Sequence, residues 1–63
     1  MSIRLKIYAT TDGKFVGKEI IWNGVSLQLN GFTYEPHAVT NLGAGLWRIH
    51  NSNYSVDAQE VEG

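Results

Sequence analysis

The chain has no cysteine, one proline and two histidines among its 63 residues. The absence of cysteine excludes disulfide bonds and thiolate metal sites, which often stabilise domains below about 70–80 residues. Two histidines are too few for a histidine-rich metal cluster, so neither a metal site nor a cofactor is expected. A domain of this size must then depend on a well-packed core or on self-association.

Charged side chains are also scarce, at 17% of the chain, and five Lys/Arg against six Asp/Glu give a formal net charge of −1. Proteins that bind nucleic acids normally carry an excess of basic residues, because contacts to phosphates supply much of their affinity. That excess is missing here. A small barrel that binds nucleic acid is therefore only a third alternative among the binding functions.

No stretch approaches the ~20 consecutive apolar residues of a membrane-spanning helix, and the first residues lack the apolar segment of a secretory signal peptide. The sequence therefore predicts a protein without membrane contact that stays in the cytoplasm, alone or incorporated in a virion or larger complex. Hydrophobic residues nevertheless make up 43% of the chain. This fraction is too high for a disordered segment and indicates a folded domain.

The first half of the chain contains three dipeptides of the kind that forms tight turns between strands: Asp12-Gly13, Asn23-Gly24 and Asn30-Gly31. Each is typical of the two central positions of a type I′ turn, where both residues adopt positive φ angles. Each also joins stretches rich in strand-forming residues. Tight turns at these places predict a continuous four-stranded antiparallel meander over residues 1–36.

The registers that the three turns impose agree with one another. The first turn pairs Ile3 with Trp22, the second pairs Ile20 with Leu27, and the third pairs Leu27 with Tyr34. A slip of one residue would move a strand's apolar side chains to the opposite face, so this agreement is the strongest signal in the sequence. One face of the meander then collects Ile3, Leu5, Ile7, Ala9, Val16, Ile20, Trp22, Val25, Leu27, Leu29, Phe32 and Tyr34.

The single proline separates the meander from the C-terminal part of the chain. Pro36 cannot donate a hydrogen bond to a neighbouring strand, so the fourth strand is expected to end there or to run along the edge of a sheet. Residues 37–45 are predicted to form a loop, with Val39 and Leu42 as its anchors in the core.

The remaining residues predict a second hairpin over 46–59, turning at residues 52 and 53. This turn pairs Arg48 with Asp57 as an ion pair on the polar face, and residues 60–63 form a frayed tail. The hairpin can cover the apolar face of the meander as a small sandwich or partly open barrel. The chain as a whole, 1–63, is therefore predicted to be one small all-β domain.

Catalytic motifs are missing from the sequence. Enzymes need a nucleophile or a metal, a base with an adjusted pKa and a pocket for the substrate. The serines lie in no nucleophile-elbow motif, and there is no phosphate-binding loop before a helix. His37 and His50 have no metal-ligand spacing and are interpreted as surface residues. The chain is therefore expected not to be an enzyme and to have no catalytic residues.

The first functional hypothesis is a non-enzymatic binding or assembly protein that acts through protein–protein contacts. Tyr8, Phe15 and Ile21 fall on the outer face of the predicted meander, where they would form a contact surface for a protein partner or a second copy. Unprotected edge strands would offer further places for pairing. The compact, charge-poor composition, rich in asparagine and glycine, is also what we expect of a small phage or viral accessory or structural protein.

The alternative hypothesis is a small carbohydrate-binding module. Aromatic side chains that project from a rigid strand can stack on a sugar ring. Tyr34 and Trp47 are the candidate stacking residues. Both also fall on predicted inner faces, where packing in the core is the competing interpretation.

Overall fold

The computed structural model describes residues 2–61. The elements follow the order β1 (Ile3–Thr10), β2 (Glu19–Trp22), β3 (Leu27–Leu29), β4 (Phe32–Tyr34), a 3₁₀ helix (Pro36–Ala38), β5 (Val39–Gly43), β6 (Leu46–His50) and β7 (Ser55–Val61). Five strands form an antiparallel sheet in the order β2-β1-β7-β6-β5, and β3 and β4 form a second sheet. The predicted all-β antiparallel domain is confirmed. No helix in this range is long and apolar enough to cross a membrane.

One hydrophobic core joins the two sheets. Burial alternates along much of β1, β2, β3 and β7, as it does when one face of a sheet meets the core and the other meets water. Each fully buried Leu, Ile or Val side chain stabilises the fold by about 1.5–3 kcal/mol. The buried residues are Leu5, Ile7, Ile20, Trp22, Leu27, Leu29, Tyr34, Ala38, Val39, Ile49, Val56 and Ala58.

The C-terminal strand lies in the middle of the larger sheet. β7 pairs with β1 on one side and with β6 on the other. The expectation that the tail frays from residue 60 is therefore wrong for Glu60 and Val61, which pair with Leu5 and Arg4. The backbone groups of β1 need partners on this side, and β7 supplies them. Residues 62 and 63 of the predicted tail lie outside the described residues.

The first hairpin has the predicted register only where β1 and β2 are paired. Ile3 lies opposite Trp22, as expected. The prediction of a two-residue turn at positions 12 and 13 is wrong, because β1 separates from β2 after Ile7 and continues along β7. The Gly17 amide donates to the Ile7 carbonyl, and the Ile7 amide donates to the Lys18 carbonyl. Gly17 and Lys18 on one strand thus lie opposite the single residue Ile7 on the other, which is the pattern of a β-bulge.

The continuous meander is interrupted after β2, because β2 and β3 belong to different sheets. The Asn23 side-chain oxygen accepts hydrogen bonds from the backbone amides of Val25 and Ser26, both at 2.8 Å. Such a side-chain bond makes an Asx turn, which redirects the chain without a strand ladder. Val25, which the meander places in the core, is 70% exposed for this reason.

Two of the predicted turns are confirmed. Asn30 and Gly31 have φ angles of 52° and 79°, as a type I′ turn requires, and Leu27 lies opposite Tyr34. In the C-terminal hairpin Arg48 lies opposite Asp57. Their side chains form the expected ion pair, with the Arg48 Nε 2.8 Å from the carboxylate.

The segment from 37 to 45 is not the predicted loop. It forms the end of the 3₁₀ helix and then β5, which pairs with β6. Val39 is buried as expected, but Leu42 is exposed. Ala44 has a φ angle of 54° and Gly45 one of 80°, as in a type I′ turn. The sequence does not indicate this turn, because alanine rarely adopts a positive φ angle. Pro36 ends the preceding strand region as predicted, because the 3₁₀ helix begins there.

We predict that Gly31→Val lowers the free energy of unfolding by about 1–3 kcal/mol, because a β-branched residue is strained at positive φ. Urea unfolding followed by circular dichroism measures this loss. Asn30→Gly is the matched control at the neighbouring position, and it should change stability little because glycine adopts positive φ readily. Equal losses in both variants would contradict the turn geometry.

Candidate functional site

Three loop tips meet at one end of the domain: the loop over residues 11–17, the β3–β4 turn and the β6–β7 turn. They border two adjoining depressions with volumes of about 540 Å³ and about 600 Å³. Both depressions are lined by Phe32, Tyr34 and Asn51. We refer to the two together as the aromatic cleft. Each volume lies within the range of about 300–1,000 Å³ that is usual for small-molecule sites.

The Phe32 side chain is the most accessible aromatic ring of the cleft, with 61% of its surface exposed. Its backbone is fixed because Phe32 pairs with Leu29 directly beside the type I′ turn. Strand alternation places Phe32 on the same side as the buried Leu29 and predicts it in the core, which is wrong. Alternation decides the side of a sheet on which a residue lies, but not whether the opposite layer extends far enough to cover it.

A hydrogen-bond cluster around Asp12 joins two walls of the cleft. Its Oδ1 atom accepts from the Tyr54 hydroxyl at 3.0 Å, the Lys14 amide at 2.9 Å and the Thr10 hydroxyl at 3.2 Å. The bond from the Lys14 amide, followed by those from Tyr54 and Thr10, holds the pKa of Asp12 below its ordinary value. Asp12 is therefore a fixed anionic acceptor at neutral pH and a poor proton donor.

The strand ends behind this cluster are also tied together. The Thr11 hydroxyl accepts from the Ser55 amide at 2.9 Å and donates to the Ser55 carbonyl at 3.2 Å. Partial burial, and then the hydrogen bond to Asp12, raises the pKa of Tyr54 above its ordinary value. Tyr54 therefore remains a protonated donor, and this wall of the cleft is held in one arrangement.

Neutral hydrogen-bonding side chains make up much of the remaining lining. The amides of Asn30 and Asn53 lie in one depression, and Asn51 lies in both. The Asn51 side-chain oxygen accepts from the Asn53 backbone amide at 2.9 Å, and its nitrogen donates to the Tyr34 hydroxyl at 3.5 Å. The turn is thereby ordered by its own asparagine, as in an Asx turn.

Few charged side chains line the cleft. Asp12 and Lys14 line the smaller depression. Glu35 and His37 line the larger one, with the His37 Nδ1 3.7 Å from the Glu35 carboxylate. Across residues 2–61, no group of three or more His, Cys, Asp or Glu side chains is placed to hold a metal ion.

The three residues predicted to form a protein contact do not share one face. Tyr8 and Ile21 are exposed, at 46% and 52%, and strand alternation places both on the outer face of the larger sheet. Phe15 instead packs against the core and lines the aromatic cleft. Its predicted position failed because residues 11–18 form a loop with a bulge and not a continuous strand.

The two residues predicted to stack on a sugar are also separated. Tyr34 is only 6% exposed, so its ring is part of the core. Trp47 is half-buried against the core, and its indole nitrogen donates to the Glu60 carboxylate at 2.9 Å. Trp47 is not among the residues that line the cleft. Tyr34 and Trp47 therefore fit the interpretation as core residues better than the interpretation as sugar-stacking residues.

Sequence reasoning missed Phe32, Tyr54 and the asparagines as members of one site. A compositional signal was present in the second hairpin, where the turn reads Asn-Ser-Asn-Tyr over residues 51–54. Tyrosine, serine and asparagine are typical of recognition loops, because tyrosine gives rigid contact area and the others give adaptable hydrogen bonds. The signal points to a binding loop, but only the fold brings this loop beside Phe32.

Acid should weaken the fold in a way that depends on Asp12. Because folding lowers the pKa of Asp12 below the ordinary value of about 3.9, its contribution to stability is present above that pH. It is lost as the pH falls through the lower pKa of the folded state. Melting temperatures measured between about pH 6 and pH 2 should fall less steeply for Asp12→Asn than for the wild type.

The control for this titration is Tyr54→Phe, which removes one donor while the Lys14 amide still bonds Asp12. Its pH dependence should lie between those of the wild type and Asp12→Asn. Parallel curves for all three proteins would show that the Asp12 cluster does not couple folding to pH.

No protein-family model, curated protein or solved structure matches the chain. The physical character of the aromatic cleft and of the outer sheet face is therefore the basis for assigning a function.

Proposed function

We propose that this chain is a non-enzymatic binding domain that holds a ligand in the aromatic cleft. The observation that carries the proposal is the exposed Phe32 ring between two depressions on a fixed hairpin. Single exposed apolar residues are common and need no explanation. An exposed ring that is surrounded by converging polar groups in a concave surface is the usual character of a ligand site.

The lining of the cleft favours binding over catalysis. A general acid or base needs a pKa near the working pH and a free atom aimed at the substrate. The Asp12 Oδ1 atom accepts from three donors, and these bonds lower the pKa of the Asp12 carboxyl, away from neutrality. Most of the other lining groups are amides, hydroxyls and aromatic rings, which orient a ligand without exchanging protons with it. His37 and His50 also line the larger depression, but within residues 2–61 no group of three or more His, Cys, Asp or Glu side chains is placed to hold a metal ion beside them.

Rigidity supports the same function. The β3–β4 turn, the Asp12 cluster and the Asn51 turn each have their own hydrogen bonds. A site whose side chains are already ordered loses less conformational entropy when a ligand binds. The cleft can therefore bind a small ligand without depending on a large buried area.

Small neutral probes test the proposal without a known ligand. Titration of ¹⁵N-labelled protein with 2-propanol, acetamide and phenol should shift the backbone amides of residues 30–34 and 51–54 more than the rest, because probes collect in concave, ordered sites. Phe32→Ala should reduce these shifts and leave the melting temperature nearly unchanged. Val25→Ala, at a residue more exposed than Phe32, is the matched control and should change neither.

The probe experiment has a clear contrary result. If the largest shifts fall on β1 and β2 around Tyr8 and Ile21, the cleft is not the preferred site and the proposal is wrong. The same holds if Phe32→Ala and Val25→Ala give the shifts of the wild type.

A second candidate function is association with a protein partner or a second copy through the outer face of the larger sheet. The observation that favours it is the exposure of Tyr8 and Ile21 on a face that strand alternation turns away from the core. A standard interface takes about 800 Å² from each partner, which is about a fifth of the 4138 Å² surface of this domain.

Sedimentation velocity over a range of concentrations tests this second function for self-association. The wild type should sediment faster as concentration rises, and the double variant Tyr8→Ser/Ile21→Ser should remain monomeric with nearly the same melting temperature. Val25→Ser, at an exposed residue outside the five-stranded sheet, should behave as the wild type. A wild type that is monomeric at every concentration would exclude a second copy as the partner.

A further inference from the structure

We infer that the aromatic cleft binds a neutral oligosaccharide, with one sugar ring stacked on Phe32 and its hydroxyl groups bonded by the surrounding asparagines. This inference depends on the proposed function, because it names the class of ligand that the same site accepts. It rests on three properties of the described lining: an exposed ring, amide groups and no excess of lysine or arginine.

The Phe32 ring provides the apolar contact. Sugar rings are polar at their edges, but their C–H bonds form apolar patches on the faces of the ring. Such a patch packs on a flat aromatic surface and removes apolar area from water on both sides. Phe32 is suited to this contact because its ring is exposed while its backbone is paired with Leu29 beside a tight turn.

The asparagine amides match the chemistry of hydroxyl groups. A hydroxyl both donates and accepts, and an amide side chain likewise offers an NH₂ donor and a carbonyl acceptor. Asn30, Asn51 and Asn53 lie around Phe32 in the two depressions. Asp12 lines the smaller one, where its Oδ1 is held by three donors and its second carboxylate oxygen is the acceptor offered to a ligand. The cleft can therefore pair many hydroxyls of one ligand without burying an unsatisfied polar group.

The balance of charge selects a neutral ligand. Lys14 is the one Lys or Arg among the described residues that line the cleft, and Asp12 in the same depression offsets it. The larger depression contains Glu35 beside His37. Phosphate and sulfate groups need an excess of cationic donors. Nucleotides, nucleic acids and sulfated glycans are therefore poor candidates for this site.

The arrangement of the two depressions favours a chain over a single sugar. Both adjoin Phe32, so a sugar stacked on this ring has a depression on either side of it. Neighbouring sugars of an oligosaccharide can occupy these spaces and bond to different asparagines. A peptide is the competing occupant of these spaces, and its binding is one of the outcomes of the test.

The test uses an array of neutral oligosaccharides built from glucose, galactose, mannose, xylose and N-acetylhexosamines, with heparin fragments as the anionic comparison. Array members that retain the protein are then titrated into ¹⁵N-labelled protein. At least one neutral class should bind saturably and shift the amides of residues 30–34 and 51–54. Heparin fragments should not compete for these positions.

Variants identify the contacts. Phe32→Ala should weaken binding of that oligosaccharide by about tenfold or more, since it removes the stacking surface, and Phe32→Trp should preserve it. Asn30→Gly removes an amide while keeping a residue that tolerates positive φ, so binding should weaken without loss of the turn. Val25→Ala should bind as the wild type does.

Each contrary outcome has one meaning. If no neutral oligosaccharide binds while small probes still collect in the cleft, the saccharide inference is wrong and the proposed function stands. If heparin fragments or peptides bind the cleft instead, the argument from charge or from amide chemistry is wrong. If a sugar binds elsewhere and the probes also avoid the cleft, the inference and the proposed function are both wrong.

Discussion

The pairing of β1 with β7 is the interaction on which the rest of the structure depends. It joins the N-terminal hairpin to the two C-terminal hairpins and makes one sheet of five strands. A lone hairpin is marginal in water, and three or more strands with a covered face are needed for stability. The same pairing places Thr11 beside Ser55 and Asp12 beside Tyr54. The wall of the aromatic cleft that contains Asp12 and Tyr54 therefore depends on it.

Local pairings could be predicted from the sequence and this distant one could not. Asn30-Gly31 sets a register that depends on neighbours only, and the structure has that register. Arg4 and Val61 are paired across nearly the whole chain, and no turn residue specifies such a match. Asn23-Gly24 is typical of a turn between paired strands. In the structure the Asn23 side chain instead accepts from the amides of Val25 and Ser26, and the meander ends there.

The candidate site was harder to predict than the fold, for a physical reason. Strand alternation sorts side chains into two faces, and this sorting held for Tyr8 and Ile21. Whether a side chain is covered depends on the layer above it, which left Phe32 exposed and Tyr34 buried. Phe15 moved from the outer face to the cleft because its segment is a bulged loop. A site formed by three loop tips is specified by how the sheets stack, and no single strand contains that information.

The central position of β7 has a consequence for attachment to other chains. Arg4 and Val61 are neighbours in the sheet, so polypeptide leading into or out of the domain passes through the same pole. The eight residues of β1, roughly 26 Å at about 3.3 Å per residue, separate that pole from the aromatic cleft. A partner that contacts the sheet beside Arg4 and Val61 would therefore lie at the end of the domain opposite the cleft and leave the cleft accessible.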